Sequence, residues 1–161
     1  GFLPWSGGPY PGDWLRGERY ALDVLGDLNH WAVGWTDWNF ALDLAGGPNW
    51  SGNNCDAPVL IDTPSSTKAT PGSVQAFFKQ PMYYYYGHIA AFVAPGATRL
   101  GWRGKVDSAT FGAFLTPDGQ RLVVIVMNRA SGARDVAVKV PRGWINARMA
   151  AHSIRTFVVQ M

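Results

Sequence analysis

One carboxylate set among aromatic residues is the first place in this sequence where chemistry could occur. Asp37 lies between Trp35 and Trp38, and a tryptophan offers a sugar ring a flat apolar face and one N–H donor. Hydrolysis of a glycosidic bond commonly needs two carboxyl groups, about 5–5.5 Å apart in a retaining enzyme. The only glutamate, Glu18, falls among solvent-type residues of a predicted helix. Asp37 therefore has no acid partner in the sequence, and a structural, hydrogen-bonding role is favoured for it.

The composition argues against several other kinds of site. Cys55 is the only cysteine, so this chain can form no internal disulfide, CxxC redox pair or cysteine zinc cluster. The histidines lie far apart without the spacing of metal ligands, and we expect no metal and no cofactor. Fourteen basic and eleven acidic residues are scattered along the chain, which does not indicate nucleic-acid binding. No apolar run approaches the roughly 18 residues that a membrane span needs.

The first part of the chain alternates between helical and strand-like patterns. Leucines at helical spacing predict a helix over residues 13–30. The mostly apolar segment 32–42 predicts a short buried strand that leads into a glycine-rich loop, and residues 57–62 predict a second extended piece. Pro81 is typical of the first turn of another helix. This succession is typical of an α/β fold, in which polar residues at the ends of buried strands carry the chemistry.

The second part of the chain has the sequence pattern of an all-β domain. From Thr98 onward, short β-rich runs predict strands, namely TRLGWRG, ATFGAFL, RLVVIVMN, DVAVKV and SIRTFVVQ. The segment 116–119, Thr-Pro-Asp-Gly, predicts a hairpin turn. We therefore divide the chain into an α/β domain at 1–95 and an all-β domain at 96–161. Between the two helices, the polar run 62–76 predicts a mobile surface loop.

Three separated segments carry a resemblance to a known family. They are GWTDWNFALDLAGGPNW (34–50), FKQPMYY (78–84) and TPDGQRLVVIVMNR (116–129). In this order they closely resemble the end of the glucosylceramidases of glycoside hydrolase family 30, which include the lysosomal acid β-glucosidases of animals. The resemblance covers nearly the whole chain.

The resemblance implies a fold for each part of the chain. Residues 13–30 would be the seventh helix of a TIM barrel, residues 32–38 about its eighth strand, and residues 81–92 its last helix. The strands after residue 97 would form the C-terminal part of a β-sandwich. The expected fold class is therefore α/β plus all-β, with the last βα units of a barrel followed by part of a sandwich.

The resemblance also implies that no catalytic residue lies in this chain. Both catalytic carboxylates of the family are glutamates, on an Asn-Glu-Pro and a Thr-Glu-Ala segment, and neither segment occurs here. The nucleophile would lie shortly upstream of Gly1, so residues 1–161 alone are expected to be inactive.

What carries over from the family is one wall of the sugar pocket. Trp38 matches a tryptophan that contacts the glucose ring, and Asn53 matches an asparagine that hydrogen-bonds the sugar. Asn54 would take that role if the match slips by one residue. Phe2, Asp37 and Asn54 are further candidates for lining the pocket.

The function that the resemblance implies is hydrolysis of the glucosidic bond of glucosylceramide, in sphingolipid catabolism, within the lysosome or outside the cell. The substrate would be a glycolipid or a glucoside. An anionic membrane surface or a lipid-presenting activator protein are expected partners. Two alternatives stay open: another family activity, such as an endo-β-1,6-glucanase or a β-xylosidase, and a noncatalytic module that binds carbohydrate or lipid. The module is disfavoured because a slice of a barrel would leave strand edges unpaired.

Overall fold

A computed structural model describes residues 8–48, 54–62, 76–104 and 107–161. The chain divides into two compact units: unit 1 holds Gly1–Gly17 and Thr36–Tyr84, and unit 2 holds Glu18–Trp35 and Tyr85–Met161. In chain order the elements are α1 (Trp14–Asn29), β1 (Ala41–Asp43), β2 (Val59–Asp62), β3 (Ala76–Lys79), α2 (Pro81–Ala90), β4 (Thr98–Arg99), β5 (Ala109–Leu115), β6 (Arg121–Asn128), β7 (Arg134–Val140), β8 (Gly143–Met149) and β9 (Ser153–Gln160).

Unit 1 contains a small three-stranded sheet in the order β1-β2-β3. β1 runs parallel to β2, with Ala41 opposite Val59, and β3 is antiparallel to β2. Leu42, Cys55 and Ala57 form a buried cluster. The single thiol is therefore part of the packing in this unit.

The carboxylate of Asp56 joins three segments of unit 1. Arg16 in α1 donates to Asp56 Oδ2, and the side-chain amide of Gln80 donates to Asp56 Oδ1. Arg16 Nη1 also donates to the Gly8 carbonyl at 3.0 Å, and Gln80 Nε2 donates to the Ala57 carbonyl at 2.6 Å. The side chains of Arg16 and Asp56 are only 18% and 15% exposed, so this charge-assisted pair is partly shielded from water. The network fixes the segment before β2 against the start of α1.

Unit 2 is organised around β6. The strand lies inside a sheet of order β4-β5-β6-β9 and pairs along its length with antiparallel β5 and β9. Residues 122–127 are each at most 5% exposed, because both faces of the strand are covered. Val123 and Ile125 face a core that includes the helices, while Val124 and Val126 face the core under β7 and β8. Two-sided burial explains why this strand is a continuous apolar run.

Both helices contribute to the first of these cores. Val24 and Leu25 of α1 and Ile89 of α2 are at most 4% exposed and pack in the same cluster as β6. Tyr85 is 1% exposed, and its hydroxyl donates to the His152 carbonyl at 3.0 Å. The apolar stripe of each helix is thus directed at the sheet of unit 2.

The other face of this sheet is covered by a β-ribbon, defined here as β7 and β8. Within the part of the chain that the structure describes, these two strands pair only with each other. Val136, Val140 and Met149 point inward and are buried. Successive side chains of a strand alternate between faces, so the intervening residues of the ribbon face outward.

Most predicted elements are confirmed. The helices expected at 13–30 and 81–92 are α1 and α2, the extended piece at 57–62 contains β2, and the strands after residue 97 are present. The turn at 116–119 joins β5 to β6, with Gly119 N donating to the Thr116 carbonyl at 2.8 Å and Gly119 at φ 69°. Glycine adopts this positive φ at little steric cost.

Some local predictions are wrong or fall outside the described residues. Residues 32–38 form no strand, and the nearest strand, β1, begins at Ala41. A strand exists only where a neighbour completes its ladder, and the described residues supply no neighbour for 32–38. The sequence also did not predict β3 or β8. The expected mobile loop at 62–76 falls mostly on residues 63–75, which lie outside the described part.

We expect Asp56→Asn, made in the full-length protein, to lower the free energy of unfolding by about 1–3 kcal/mol, because Arg16 loses its charged, partly buried partner. Denaturant unfolding measures this loss. Asp135→Asn is the matched control, since the Asp135–Arg148 pair at 3.0 Å is 76% and 70% exposed, and its loss should cost less than about 1 kcal/mol. Equal losses in the two variants would contradict the role of the Asp56 network.

A second expectation concerns pH and His88 in α2. The His88 Nδ1 atom lies 3.0 Å from Thr156 Oγ1, whose hydroxyl donates to the His88 carbonyl at 3.2 Å. Burial lowers the pKa of His88 below its ordinary value of 6.5. Between the lowered pKa and 6.5 the unfolded state binds more protons than the folded state. Stability is therefore retained above pH 6.5 and falls as the pH drops below it.

We expect Tm of the full-length protein to fall more steeply between pH 6.5 and the lower pKa of His88 than Tm of the His88→Asn variant. Thermal unfolding across a pH series measures both slopes. His30→Asn, at an exposed histidine, controls for the loss of a titratable ring. Identical slopes in the wild type and the His88→Asn variant would rule out this contribution.

Candidate functional site

The predicted sugar-contacting tryptophan is open to solvent. Trp38 is 77% exposed and lies three residues before β1 in unit 1. Asn39 follows it with a φ of 75°, a left-handed conformation that asparagine adopts more readily than most residues. The chain thus turns sharply beside Trp38. An exposed indole at such a turn can offer both its ring face and its N–H to a ligand.

Trp38 leads into the small sheet, whereas Asn54 lies beside the loop that follows β1. Trp38 precedes β1 by three residues, and Asn54 precedes β2 by five. β1 and β2 are parallel neighbours with Ala41 opposite Val59, but Cys55 N donates to the Gly46 carbonyl at 3.2 Å, which holds residues 54 and 55 against the loop after β1. Asn53 and Phe2 lie outside the described residues, and their predicted roles stay predictions.

Two glycines set the surroundings of Asn54. A Cβ at Gly8 would lie 3.2 Å from Asn54 Cβ and 3.3 Å from the Ala45 carbonyl. Gly46 has a φ of +88°, and a Cβ there would lie 2.4 Å from the Cys55 carbonyl oxygen. No side chain fits at Gly46 without moving the backbone. The glycines of this segment therefore allow the loop after β1 to pack closely on residues 54 and 55.

The loop after β1 is also fixed by Asp43. Its Oδ1 atom accepts from Ala45 N and Gly47 N, both at 2.8 Å, and its carbonyl accepts from Gly46 N at 3.0 Å. Asp43 was not among the predicted site residues. The signal was present, because an aspartate a few residues before a Gly-Gly pair is typical of a turn in which the carboxylate caps backbone N–H groups.

The structure distinguishes the two tryptophans around Asp37. Trp35 packs in unit 2, with its ring 5.8 Å from that of Tyr20 and 5.4 Å from that of Tyr86. Its Nε1 donates to Asp23 Oδ2 at 3.2 Å. Of the two, Trp35 is therefore the one that serves packing. Asp37 is half-buried and interacts with another residue, which is compatible with the structural role favoured for it.

The only glutamate does not face solvent, so its expected placement is wrong. Glu18 is 4% exposed, and its Oε1 atom accepts from His152 Nδ1 at 2.9 Å. A buried carboxylate is stable when such a partner is present. Glu18 thus acts in the packing of unit 2.

Among the described residues, the exposed indole of Trp38 is available to a ligand. Across 8–48, 54–62, 76–104 and 107–161, no three histidine, cysteine or acidic side chains are grouped to hold a metal ion. None of the helices found there is both long and apolar enough to cross a bilayer.

The chain matches two family descriptions that divide it near residue 95. Residues 7–93 match "Glycosyl hydrolase family 30 TIM-barrel domain", and residues 96–157 match "Glycosyl hydrolase family 30 beta sandwich domain".

Named relatives and solved structures agree with this family. The chain is 36% identical over 150 residues to lysosomal acid glucosylceramidase of Mus musculus, which covers 91% of this chain and 27% of the relative. It is 38% identical over 126 residues to putative glucosylceramidase 3 of Caenorhabditis elegans, covering 78% and 22%. The crystal structure of SrfJ from Salmonella typhimurium superimposes with a TM-score of 0.84 at 25% identity, covering 96% of this chain and 34% of that one.

The chain spans only 21–27% of the length of these glucosylceramidase relatives. The family itself is shown by matches that cover most of the chain. The expected fold class is confirmed with it: the last part of a TIM barrel is followed by a β-sandwich. This chain belongs to glycosyl hydrolase family 30.

Proposed function

We propose that the full-length protein is a retaining β-glycosidase that hydrolyses the glucosidic bond of glucosylceramide. The observation that carries the proposal is the 36% identity, over 91% of this chain, to a relative named lysosomal acid glucosylceramidase. Several nematode relatives named glucosylceramidase are 35–40% identical. The two family matches also support the proposed domains at 1–95 and 96–161.

In this proposal the chain contributes binding and no bond cleavage. A retaining enzyme attacks the anomeric carbon with one carboxylate while another protonates the leaving oxygen, and water then cleaves the covalent glycosyl-enzyme. Both glutamates would come from elsewhere in the full-length protein. Trp38 would stack on the glucose ring and donate its N–H to a hydroxyl, and Asn53 would hydrogen-bond the same sugar.

The geometry of unit 1 supports this role for Trp38. Its indole is 77% exposed, and the segment that carries it leads directly into β1. Asp43 holds the loop after β1 and the Asp56 network holds the segment before β2, so the sheet that Trp38 precedes is fixed on both strands. Preorganised groups bind a ligand at a lower entropic cost.

Other family activities are the competing proposal. An endo-β-1,6-glucanase superimposes with a TM-score of 0.73 at 23% identity, and xylanase C of Talaromyces cellulolyticus with 0.64 at 15%. These identities support a shared fold alone. Comparing kcat/KM on glucosylceramide, β-1,6-glucan and xylan with the full-length protein would separate the activities. A preference for either polysaccharide would overturn the glucosylceramide proposal.

The proposed substrate implies a location and partners. A glycolipid substrate in sphingolipid catabolism would be met in the lysosome, as the name of the mouse relative suggests, or outside the cell. The headgroup would be presented by an anionic membrane surface or by a lipid-presenting activator protein. Activity on glucosylceramide in vesicles, with and without anionic lipid, tests the first of these partners.

We expect Trp38→Ala, made in the full-length protein, to lower kcat/KM on a fluorogenic β-glucoside. The loss should correspond to about 2–4 kcal/mol of transition-state stabilisation, since the ring contact and the N–H donor both disappear. The kcat/KM of Trp38→Phe should lie between those of the wild type and Trp38→Ala, because phenylalanine keeps an aromatic ring but has no N–H donor. Phe40→Ala, at a residue 65% exposed in the same segment, is the matched control. An unchanged kcat/KM in Trp38→Ala would remove this residue from the site.

We expect Asp37→Asn to leave covalent labelling by a mechanism-based glucosidase inhibitor intact, because the proposed nucleophile is a glutamate elsewhere in the protein. Mass spectrometry of the full-length variant measures the adduct, and circular dichroism checks that the variant is folded. Loss of the adduct in a folded variant would make Asp37 a catalytic candidate again.

A further inference from the structure

The outward face of the β-ribbon carries three cross-strand pairs in a row. The pairs are Asp135–Arg148, Ala137–Asn146 and Lys139–Trp144, and all six residues are exposed. Side chains directly opposite each other in antiparallel strands stand about 4.5–5.5 Å apart at Cβ. The side chains of the three pairs therefore lie next to one another and form one continuous surface.

The sizes of these side chains give the surface its shape. The middle pair contains only the methyl group of Ala137 opposite the Asn146 amide, while larger side chains stand on either side. The result is a depression of about 300 Å³ lined by Asp135, Val136, Ala137, Asn146, Ala147 and Arg148. Its volume is at the lower end of the range for small-molecule sites.

One end of the depression is held by an ion pair. Arg148 Nη1 donates to Asp135 Oδ1 at 3.2 Å and to Oδ2 at 3.0 Å. In an exposed position this pair adds little stability. It does, however, orient a carboxylate and a guanidinium beside the depression. The guanidinium has five N–H donors, so Nε and Nη2 can donate to a ligand.

Beyond the depression, the same face of the β-ribbon carries an exposed aromatic side chain. Trp144 is 60% exposed although it lies within a strand, and it stands two residues from Asn146 on the same face. From Trp144 to Arg148 the strand extends about 13–14 Å. An indole face, an amide and a charged donor–acceptor pair thus follow one another along a nearly straight line.

We infer that this face of the β-ribbon is a binding site for an extended, β-linked oligosaccharide. One pyranose ring stacks on Trp144, and the hydroxyls of the next ring lie over the depression. There they bond to Asn146 and to the Asp135–Arg148 pair. A sugar hydroxyl both donates and accepts hydrogen bonds, and this surface offers both donors and acceptors. The site is independent of the activity proposed above.

An anionic membrane is the competing occupant, and the same residues fit it less well. Lys139 and Trp144 would suit a lipid headgroup region. The exposed carboxylate of Asp135 would not, because it gains nothing from contact with acyl chains or anionic headgroups. A single tryptophan also gives too little apolar area for firm membrane anchoring.

The test measures binding of cellotetraose, laminaritetraose and xylotetraose to the full-length protein by isothermal titration calorimetry, with α-linked maltotetraose for comparison. We expect at least one β-linked probe to bind, and Trp144→Ala to weaken that binding at least about tenfold. Asn146→Ala should also weaken it, and Trp144→Phe should weaken it less than Trp144→Ala. Trp102→Ala, which removes a tryptophan 44% exposed elsewhere in unit 2, should leave it unchanged.

Three results would overturn the inference: no binding of any β-linked probe, binding that Trp144→Ala and Asn146→Ala leave unchanged, or tighter binding of maltotetraose. Loss of binding to phosphatidylserine vesicles in Trp144→Ala, with oligosaccharide affinity retained, would identify a membrane contact instead. Hydrolysis of a soluble aryl β-glucoside is measured in parallel and should be unchanged in every variant. If the wild-type protein does not hydrolyse the aryl β-glucoside, the proposed function is contradicted. The binding result would remain valid, because it does not depend on hydrolysis.

Discussion

Burial of β6 on both faces is the constraint on which the rest of unit 2 depends. Each residue from 122 to 127 is at most 5% exposed, so the strand needs a cover on each side and a paired neighbour at each edge. α1 and α2 provide one cover and the β-ribbon provides the other, while β5 and β9 complete the ladder. A polar residue within this run would lose its hydration without a partner. The apolar sequence of β6 therefore determines how the other elements of the unit are arranged.

The sequence predicted those elements whose signal is local. α1 follows from leucine spacing, α2 from Pro81 in its first turn, and the β5–β6 turn from the conformations of proline and glycine. β8 was missed because Trp144, a large apolar residue on the exposed face, obscures the alternation of the inward residues Ile145, Ala147 and Met149. Residues 32–38 have the composition of a strand but no ladder neighbour among the described residues, and composition does not reveal pairing.

The candidate site was predictable only where the resemblance named a residue. Trp35 and Trp38 have similar surroundings in the sequence, and only the contacts of Trp35 with Tyr20 and Tyr86 show which of the two is packed. Glu18 was misplaced because its partner, His152, lies 134 positions further along the chain. No local pattern contains such a long-range contact. The Asp56 network was missed for the same reason, since Arg16 and Gln80 lie 40 and 24 positions from Asp56.

The separation of the β-ribbon from the larger sheet has a consequence for local stability. β7 and β8 share their ladder only with each other in the described part of the chain, and they are held to β6 by side-chain packing. The ribbon can therefore open without breaking any backbone hydrogen bond of the β5-β6-β9 ladder. Its amide protons would exchange with solvent through a subglobal opening, whereas those of β6 require unfolding of the whole sheet. We therefore expect a lower local stability in the β-ribbon than in β6.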